Sequence, residues 1–337
     1  MLPPERGGHM KRREFIMLLG GAATWPFAAR AQQPERMRRI GWLVALREND
    51  PEAQRRTGAF VQQLQQLGWT VGRNILIDYR WLSENANQTQ AYAEELARLQ
   101  PDVLVATSTP AVNAMRQQTR TIPIVFAFVT DPVSGGLVTS LGAPGANVTG
   151  FTNFEFAVGG KWLELLKEVA PQVAKVALIF NPKTTPYLGY LRSIEASAPS
   201  FGVELTVRGV SDADEIERAI TATGTQSNGG LIIFPDLFTA AHHQLIIGVA
   251  ARSHVPAVYP YRYMAADGGL ISYGVDTAEE LRRAASYVDR IFKGEKPANL
   301  PVQAPNKFEL VINLNSAKAL SLTVPPALLA RADEVIE

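Results

Sequence analysis

Residues 101–112 read Pro-Asp-Val-Leu-Val-Ala-Thr-Ser-Thr-Pro-Ala-Val. A short apolar and β-branched run, Val103-Leu104-Val105-Ala106, is bounded by proline and small hydroxyl residues. That pattern predicts a strand buried on both faces. Pro110 suits the first turn of a helix, where its missing N–H costs nothing. Ser108 or Thr109 is the expected N-cap. The strand end therefore feeds a helix N-terminus, whose free N–H groups and partial positive charge suit a carboxylate or another anion. Capping alone would also account for both hydroxyls, since every βα unit needs a cap. A second copy adds weight to binding. Residues 229–241, GGLIIFPDLFTAA, again run from an apolar strand through a polar end, Asp236, into a helix. Each copy leads to a Pro-led strand, Ile122-Pro123-Ile124-Val125-Phe126 and Val255-Pro256-Ala257-Val258-Tyr259. Two such units predict two lobes of one architecture, and ligands of open α/β sheets bind beyond the carboxyl ends of the strands.

Outward from these units the chain alternates strand and helix. In the first half, strands are expected at Ile40 to Ala45, Ile75 to Tyr79, Pro101 to Thr107, Pro123 to Val129 and Asn147 to Phe151. Between them, Phe60, Leu64 and Leu67 mark one helix face ending at Gly68, and Tyr92, Leu96 and Leu99 mark another. The second half repeats the rhythm. Helix faces are carried by Trp162, Leu165, Leu166 and Val169, by Tyr187, Leu191, Ile194 and Phe201, and by Leu245, Ile246 and Val249. Asp212 or Asp214 is expected to cap a further helix carrying Ile216 and Ile220. Strands follow at Val176 to Phe180, Val203 to Val210, Leu231 to Phe234, Ala257 to Tyr259, Leu270 to Tyr273 and Phe308 to Leu314, with a helix face at Leu281, Ala285, Val288 and Phe292. Alternation of this kind predicts right-handed crossovers and parallel sheets covered on both faces.

The first residues follow a different logic. Lys11-Arg12-Arg13-Glu14-Phe15-Ile16 precedes an apolar stretch through Ala23, and Ala29-Arg30-Ala31 ends it. That order of basic, apolar and small residues is an export signal. Arg12-Arg13 gives it a twin-arginine character, and Met10 is the expected start. The chain has 337 residues, a net charge of +1 and no cysteine. A near-neutral balance argues against a nucleic-acid or acidic-membrane partner. Without cysteine there is neither a disulfide framework nor a thiol for lipid attachment, so stability must come from a core.

Read together, these segments resemble a known family, the bacterial ABC transporter substrate-binding proteins of the type I periplasmic-binding fold, in the group related to the tryptophan-binding receptor. The resemblance spans nearly the whole chain. It is carried by RREFI, TSTPAV, TIPIVFAFVTDPVSGGLV, the join NVTGF, PDLFTAAHHQLI, VPAVYPYR, GGLISYG, KPANLPVQAPNKFELVINLNSAKAL and TVPPALLARADEVI. It implies two Rossmann-like α/β lobes with parallel sheets, a Venus-flytrap hinge of crossing segments, and closure over a small ligand that is handed to a permease. One departure stands at the end of the first strand, where Leu46-Arg47-Glu48-Asn49 replaces the small or hydroxyl residues expected there. On this plan residues 1–31 are the export signal, 38–151 the first lobe, 152–265 the second, and 266–337 a returning segment belonging mostly to the first lobe.

The expected ligand-binding residues are Ser108, Thr109, Pro110, Ala111, Asp131, Asn181, Asp236, Tyr259 and Tyr261. Either Asp131 or Asp236 could receive a ligand ammonium, with Asp236 favoured because its lobe otherwise lacks an acid at a strand end; each could equally be an N-cap. Tyr259, Tyr261 and Tyr273 could stack on an organic ligand or pack in the core, and Trp81 could form a cleft wall or, more readily, a cover over the sheet edge. Enzyme signatures are missing: there is no nucleophile elbow, Walker loop or dinucleotide fingerprint. Adjacent His242 and His243 cannot share a helix face as metal ligands. The expectation is a monomeric periplasmic receptor of an ABC importer, without metal or cofactor, binding an amino acid or similar molecule. A periplasmic sensor, or less readily an exported α/β enzyme, is the alternative.

Overall fold

A computed structural model describes residues 36–81, 86–153, 155–183 and 187–337. The export signal expected in residues 1–31 lies outside the described residues. The first lobe opens with β1 (Arg38–Val44), α1 (Pro51–Gln66), β2 (Ile75–Trp81), α2 (Ala86–Arg98), β3 (Val103–Ala106), α3 (Thr109–Gln118), β4 (Ile124–Val129) and β5 (Val148–Thr152). The strands pair in parallel in the order β2-β1-β3-β4-β5. Strand alternation distributes side chains to two layers. Trp42, Val103 and Val105 face α1, while Leu43, Leu104 and Ala106 face α2 and α3. β3 is buried along its whole length, as its unbroken apolar run predicts.

Local signals set the element ends. Asp50 caps α1 by accepting the Glu52 and Ala53 N–H groups at 2.8 and 3.3 Å. Gly68 follows the helix at φ +96°, a backbone region that favours glycine. Gly150 in the NVTGF join carries a stricter demand. Its φ is +155°, and a Cβ there would lie 2.1 Å from the Phe126 carbonyl oxygen. Only glycine lets β5 pack this closely beside β4.

The second lobe comprises α4 (Val158–Val169), β6 (Lys175–Phe180), α5 (Leu188–Phe201), β7 (Glu204–Gly209), α6 (Ala213–Gly224), β8 (Gly229–Ile233), α7 (Leu237–Ala241), α8 (His243–Arg252), β9 (Ala257–Tyr259), α9 (Arg262–Ala266) and β10 (Ile271–Val275). Asp212, not Asp214, caps α6, accepting the Glu215 N–H at 2.7 Å. Then α10 (Thr277–Phe292), β11 (Phe308–Asn313), α11 (Leu314–Ala319), α12 (Pro326–Leu329) and β12 (Glu334–Ile336) complete the described chain. The second sheet has seven strands in the order β12-β11-β10-β9-β8-β6-β7.

Two expectations need correction here. Residues 266–337 do not join mostly the first lobe. β10, β11 and β12 all lie in the second sheet. Only α10 and the stretch after it return, with Leu281, Ala285, Val288 and Phe292 packed into the first lobe's core beside Phe60 and Leu64. Nor is the second sheet wholly parallel, because β11 runs antiparallel to β10. The chain leaves the second sheet at the end of β10, visits the first lobe, and returns near the same edge; entering from that end, β11 must run back. Among the described residues the chain therefore crosses between the sheets after β5, at Asp276, and between Gln303 and Phe308. Gln303 still belongs to the first side, donating its N–H to Gly150 O at 3.1 Å.

Candidate functional site

In both sheets the strand order reverses around a central pair, β1/β3 in the first and β6/β8 in the second. Such switch points leave a crevice beyond the carboxyl ends of the strands. A cavity of about 550 Å³, its open mouth included, occupies that position between the lobes. The first lobe contributes Ala45 and Leu46 after β1, residues 107–110 after β3, Phe128 and Thr130 from β4 and its end, and Arg56 from α1. The second contributes Pro235, Asp236, Leu237 and Ala240 after β8, and Tyr261 after β9; Asn153 lies at the crossing.

The turn after β3 is held firmly. Thr107 Oγ1 accepts the Ala45 N–H at 2.9 Å, tying the ends of β1 and β3 together. Ser108 caps α3, its Oγ accepting the Ala111 N–H at 3.3 Å. Pro110 has no N–H, so the turn offers a ligand the Thr109 amide and the hydroxyls of Ser108 and Thr109. Ala111 serves the cap and is not in the cavity wall. Leu46 does line the cavity, so the departure at the end of β1 puts an apolar side chain in its wall.

Asp236 is buried and bounds the cavity from the opposite lobe. Its Oδ1 accepts the Thr239 N–H at 2.8 Å, capping α7, and its Oδ2 accepts the Asn181 N–H at 3.1 Å. Capping and cavity lining are thus combined in one carboxylate. Asn181 acts through its backbone, fixing Asp236, while its own Oδ1 accepts the Lys183 N–H at 2.9 Å; its side chain is not in the wall. Asp131 is placed differently. It adopts φ +48° and its Oδ1 accepts the Ser134 N–H at 3.0 Å, so it caps the turn that follows and is not in the cavity wall. Tyr259 is also placed differently. β9 is flanked by β8 and β10 and covered on both faces, which puts Tyr259 in the core, 2% exposed. Tyr261, two residues past the strand end, turns to the cleft instead. Tyr273 stacks on Phe308 with centroids 5.5 Å apart, and Trp81 stacks on Tyr79 at 5.4 Å, both outside the cavity wall.

Arg56, Phe128, Thr130 and Asn153 were not expected from the sequence. Arg56 has the strongest setting. Its Nε donates to Glu52 Oε1 at 2.7 Å, and its guanidinium carbon lies 4.5 Å from the Phe128 ring centroid. Tyr261 and Tyr263 of the second lobe stand 5.7 and 5.8 Å from the same carbon, within cation–π range. Glu52 also receives two hydrogen bonds from Arg55, at 2.7 and 3.0 Å, and one from the Thr277 hydroxyl at 2.5 Å. Burial alone would raise the Glu52 carboxyl, but Arg56 and Arg55 outweigh it and hold the group at about 2. Burial likewise pushes the Tyr261 phenol upward, against the nearby Arg56 and a hydrogen bond with Asn153. A weak signal for Arg56 was present: the spacing Glu52–Arg56 is i, i+4 on the helix that follows the first strand. Phe128 gave none, since its place depends on a left-handed backbone, φ +58°, at the irregularity in β4.

The chain is similar to known proteins. The family model described as ABC transporter substrate binding protein matches residues 44–336. The tyrosine-binding protein of Clostridioides difficile (strain R20291) is 27% identical over 263 residues, 78% of this chain and 75% of that protein. A conserved domain protein from Vibrio cholerae superposes with a TM-score of 0.82 at 28% identity, covering 89% of this chain and all of the other, 100%. An ABC domain from Streptococcus pneumoniae, solved in complex with L-Trp, gives 0.82 at 23% identity over 89% of this chain and 99% of that one.

Proposed function

Because the chain belongs to the ABC transporter substrate-binding protein family, we propose that its solute is an amino acid or a similar zwitterion held between Asp236 and the first-lobe wall formed by Arg56 and the turn at Thr107–Pro110. Membership makes it a solute-binding receptor serving an ABC permease, and a binding protein by family rather than an enzyme. The observation that carries the choice of solute is the polarity of the cavity. One lobe offers hydroxyls, an amide and a guanidinium; the other offers a buried carboxylate. A ligand with an anionic and a cationic end satisfies both, and touching both lobes favours the closed state. The tyrosine-binding relative supports the same class.

Calorimetry with L-tyrosine and L-tryptophan tests the assignment. Asp236→Ala should weaken binding by roughly 2–5 kcal/mol, because a desolvated ammonium loses its partner. Asp236→Ser keeps a capping oxygen and separates loss of charge from loss of the α7 cap. Ser108→Ala should cost only about 1 kcal/mol, since the Thr109 amide remains. Parent-like affinity in both Asp236 variants would mean that the solute carries no ammonium there.

The same reading places the mature protein in the periplasm, exported by the twin-arginine signal and cleaved near Ala31. Among the described residues no helix is long and apolar enough to cross a membrane. N-terminal sequencing of the periplasmic fraction should begin at or near Gln32; recovery of the intact N-terminus from the cytoplasm would reject this route.

A further inference from the structure

Arg56 has more donors than its own chain uses. A guanidinium carries five N–H groups in a planar fork. Among the described residues only the Nε–H of Arg56 makes a hydrogen bond, to Glu52. The terminal nitrogens belong to a side chain that is only 12% exposed and that lines the cleft. Leaving such donors unpaired in a partly desolvated place is unfavourable, and a planar carboxylate matches them in pairs. The group is also held in place. Glu52 fixes Nε and is itself locked by Arg55 and Thr277. Phe128 of the first lobe and Tyr261 and Tyr263 of the second lie against the guanidinium. The α3 turn competes weakly for an anion, because Pro110 lacks an N–H and the Ala111 amide is taken by Ser108.

We propose that Arg56 is the specificity-determining residue of the cleft, pairing with the carboxylate of the solute and rejecting otherwise similar molecules that lack one. The assignment rests on the reading of the cavity as a zwitterion site, and it adds which residue reads the anionic end. It also gives closure a physical link to the ligand. The fork stands on the first lobe while two of the rings against it stand on the second, so a carboxylate on Arg56 is held where the lobes meet.

The test uses paired probes on the intact protein. L-Tyrosine and L-tryptophan are compared with tyramine and tryptamine, which keep the ring and ammonium but lack the carboxylate. They are also compared with 3-(4-hydroxyphenyl)propionate, which keeps the carboxylate but lacks the ammonium, and with the neutral polyol myo-inositol. Wild-type protein should prefer each amino acid to its amine by about 100-fold or more, the loss expected when a buried charged partner is removed. Arg56→Gln should bring that preference to within about tenfold by weakening the amino acid and not the amine. Arg56→Lys keeps the charge without the fork and should fall between the two. Circular dichroism and the calorimetric stoichiometry report whether each variant is folded, and the wild-type comparison needs no substitution. An amino-acid preference unchanged in Arg56→Gln, or a wild-type protein that binds amine and amino acid alike, overturns the assignment. Tight binding of the propionate would uphold Arg56 while removing the role given to Asp236. Binding of myo-inositol alone, or of none of these probes, would count against both.

Discussion

Glu280 illustrates how much one residue's chemistry depends on what covers it. It sits in the first turn of α10, 5% exposed, and its Oε1 accepts the Phe128 N–H at 2.7 Å. Its Oε2 is buried without a hydrogen-bond partner among the described residues. Burial pushes the carboxyl up to about 8, although the Phe128 N–H, Arg56 and Arg283 pull the other way. Because the folded-state value lies above the unfolded one, the group's contribution to stability is complete below the ordinary carboxylate range. It is lost as pH rises through about 8. Glu280→Gln removes that dependence. Denaturant unfolding of both proteins between about pH 5 and 8 should show the variant gaining on the parent by on the order of 2–4 kcal/mol. Parallel curves would show that Glu280 ionises normally. The sequence marks α10's apolar face at Leu281, Ala285, Val288 and Phe292. It does not reveal that Phe128, distant along the chain, closes over the neighbouring carboxylate.

At the scale of elements, runs and caps were legible because they are written in neighbouring residues. β3 was readable from Val103-Leu104-Val105-Ala106, and the α3 cap from Ser108 and Pro110. The two expectations for aspartates at strand ends parted for a local reason. Asp236 caps a short helix that itself borders the cleft, whereas Asp131 takes a left-handed backbone and caps the turn that follows, outside the cavity wall. The two tyrosines after Pro256 show how register decides. Tyr259 ends a strand enclosed by neighbours on both sides, and Tyr261 starts the next turn, where the chain is free to face the cavity. Placing α10 needed more than its own pattern. Its apolar face would suit either sheet, and the crossing at Asp276 sends it to the first.

At the scale of the whole molecule, two sheets are joined by crossing segments and share a cavity where they meet, and we expect the receptor to open and close about those crossings. A ligand that bridges Arg56 and Asp236 would favour the closed arrangement and also raise stability, by about 2.7 kcal/mol at a hundredfold excess over its dissociation constant. Small-angle scattering with and without saturating L-tyrosine should show a smaller radius in its presence, and the forward scattering should give the mass of a monomer. An unchanged radius under conditions where calorimetry shows saturation would count against the hinge.

By itself the sequence determined the alternation of strands and helices, the two βα units with their polar ends, and the family. Each of these depends on residue order, periodicity and composition, which are local or additive properties. Tertiary structure alone decided which polar residues share a cavity. It brought Arg56 of α1, Phe128 of β4 and Tyr261 beyond β9 together, and it left Asp131 and Tyr259 outside. The physical reason is that a cleft forms where two separately built sheets meet. Its lining is set by the crossings and by long-range packing, and a shift of one or two residues moves a side chain from the wall to the core.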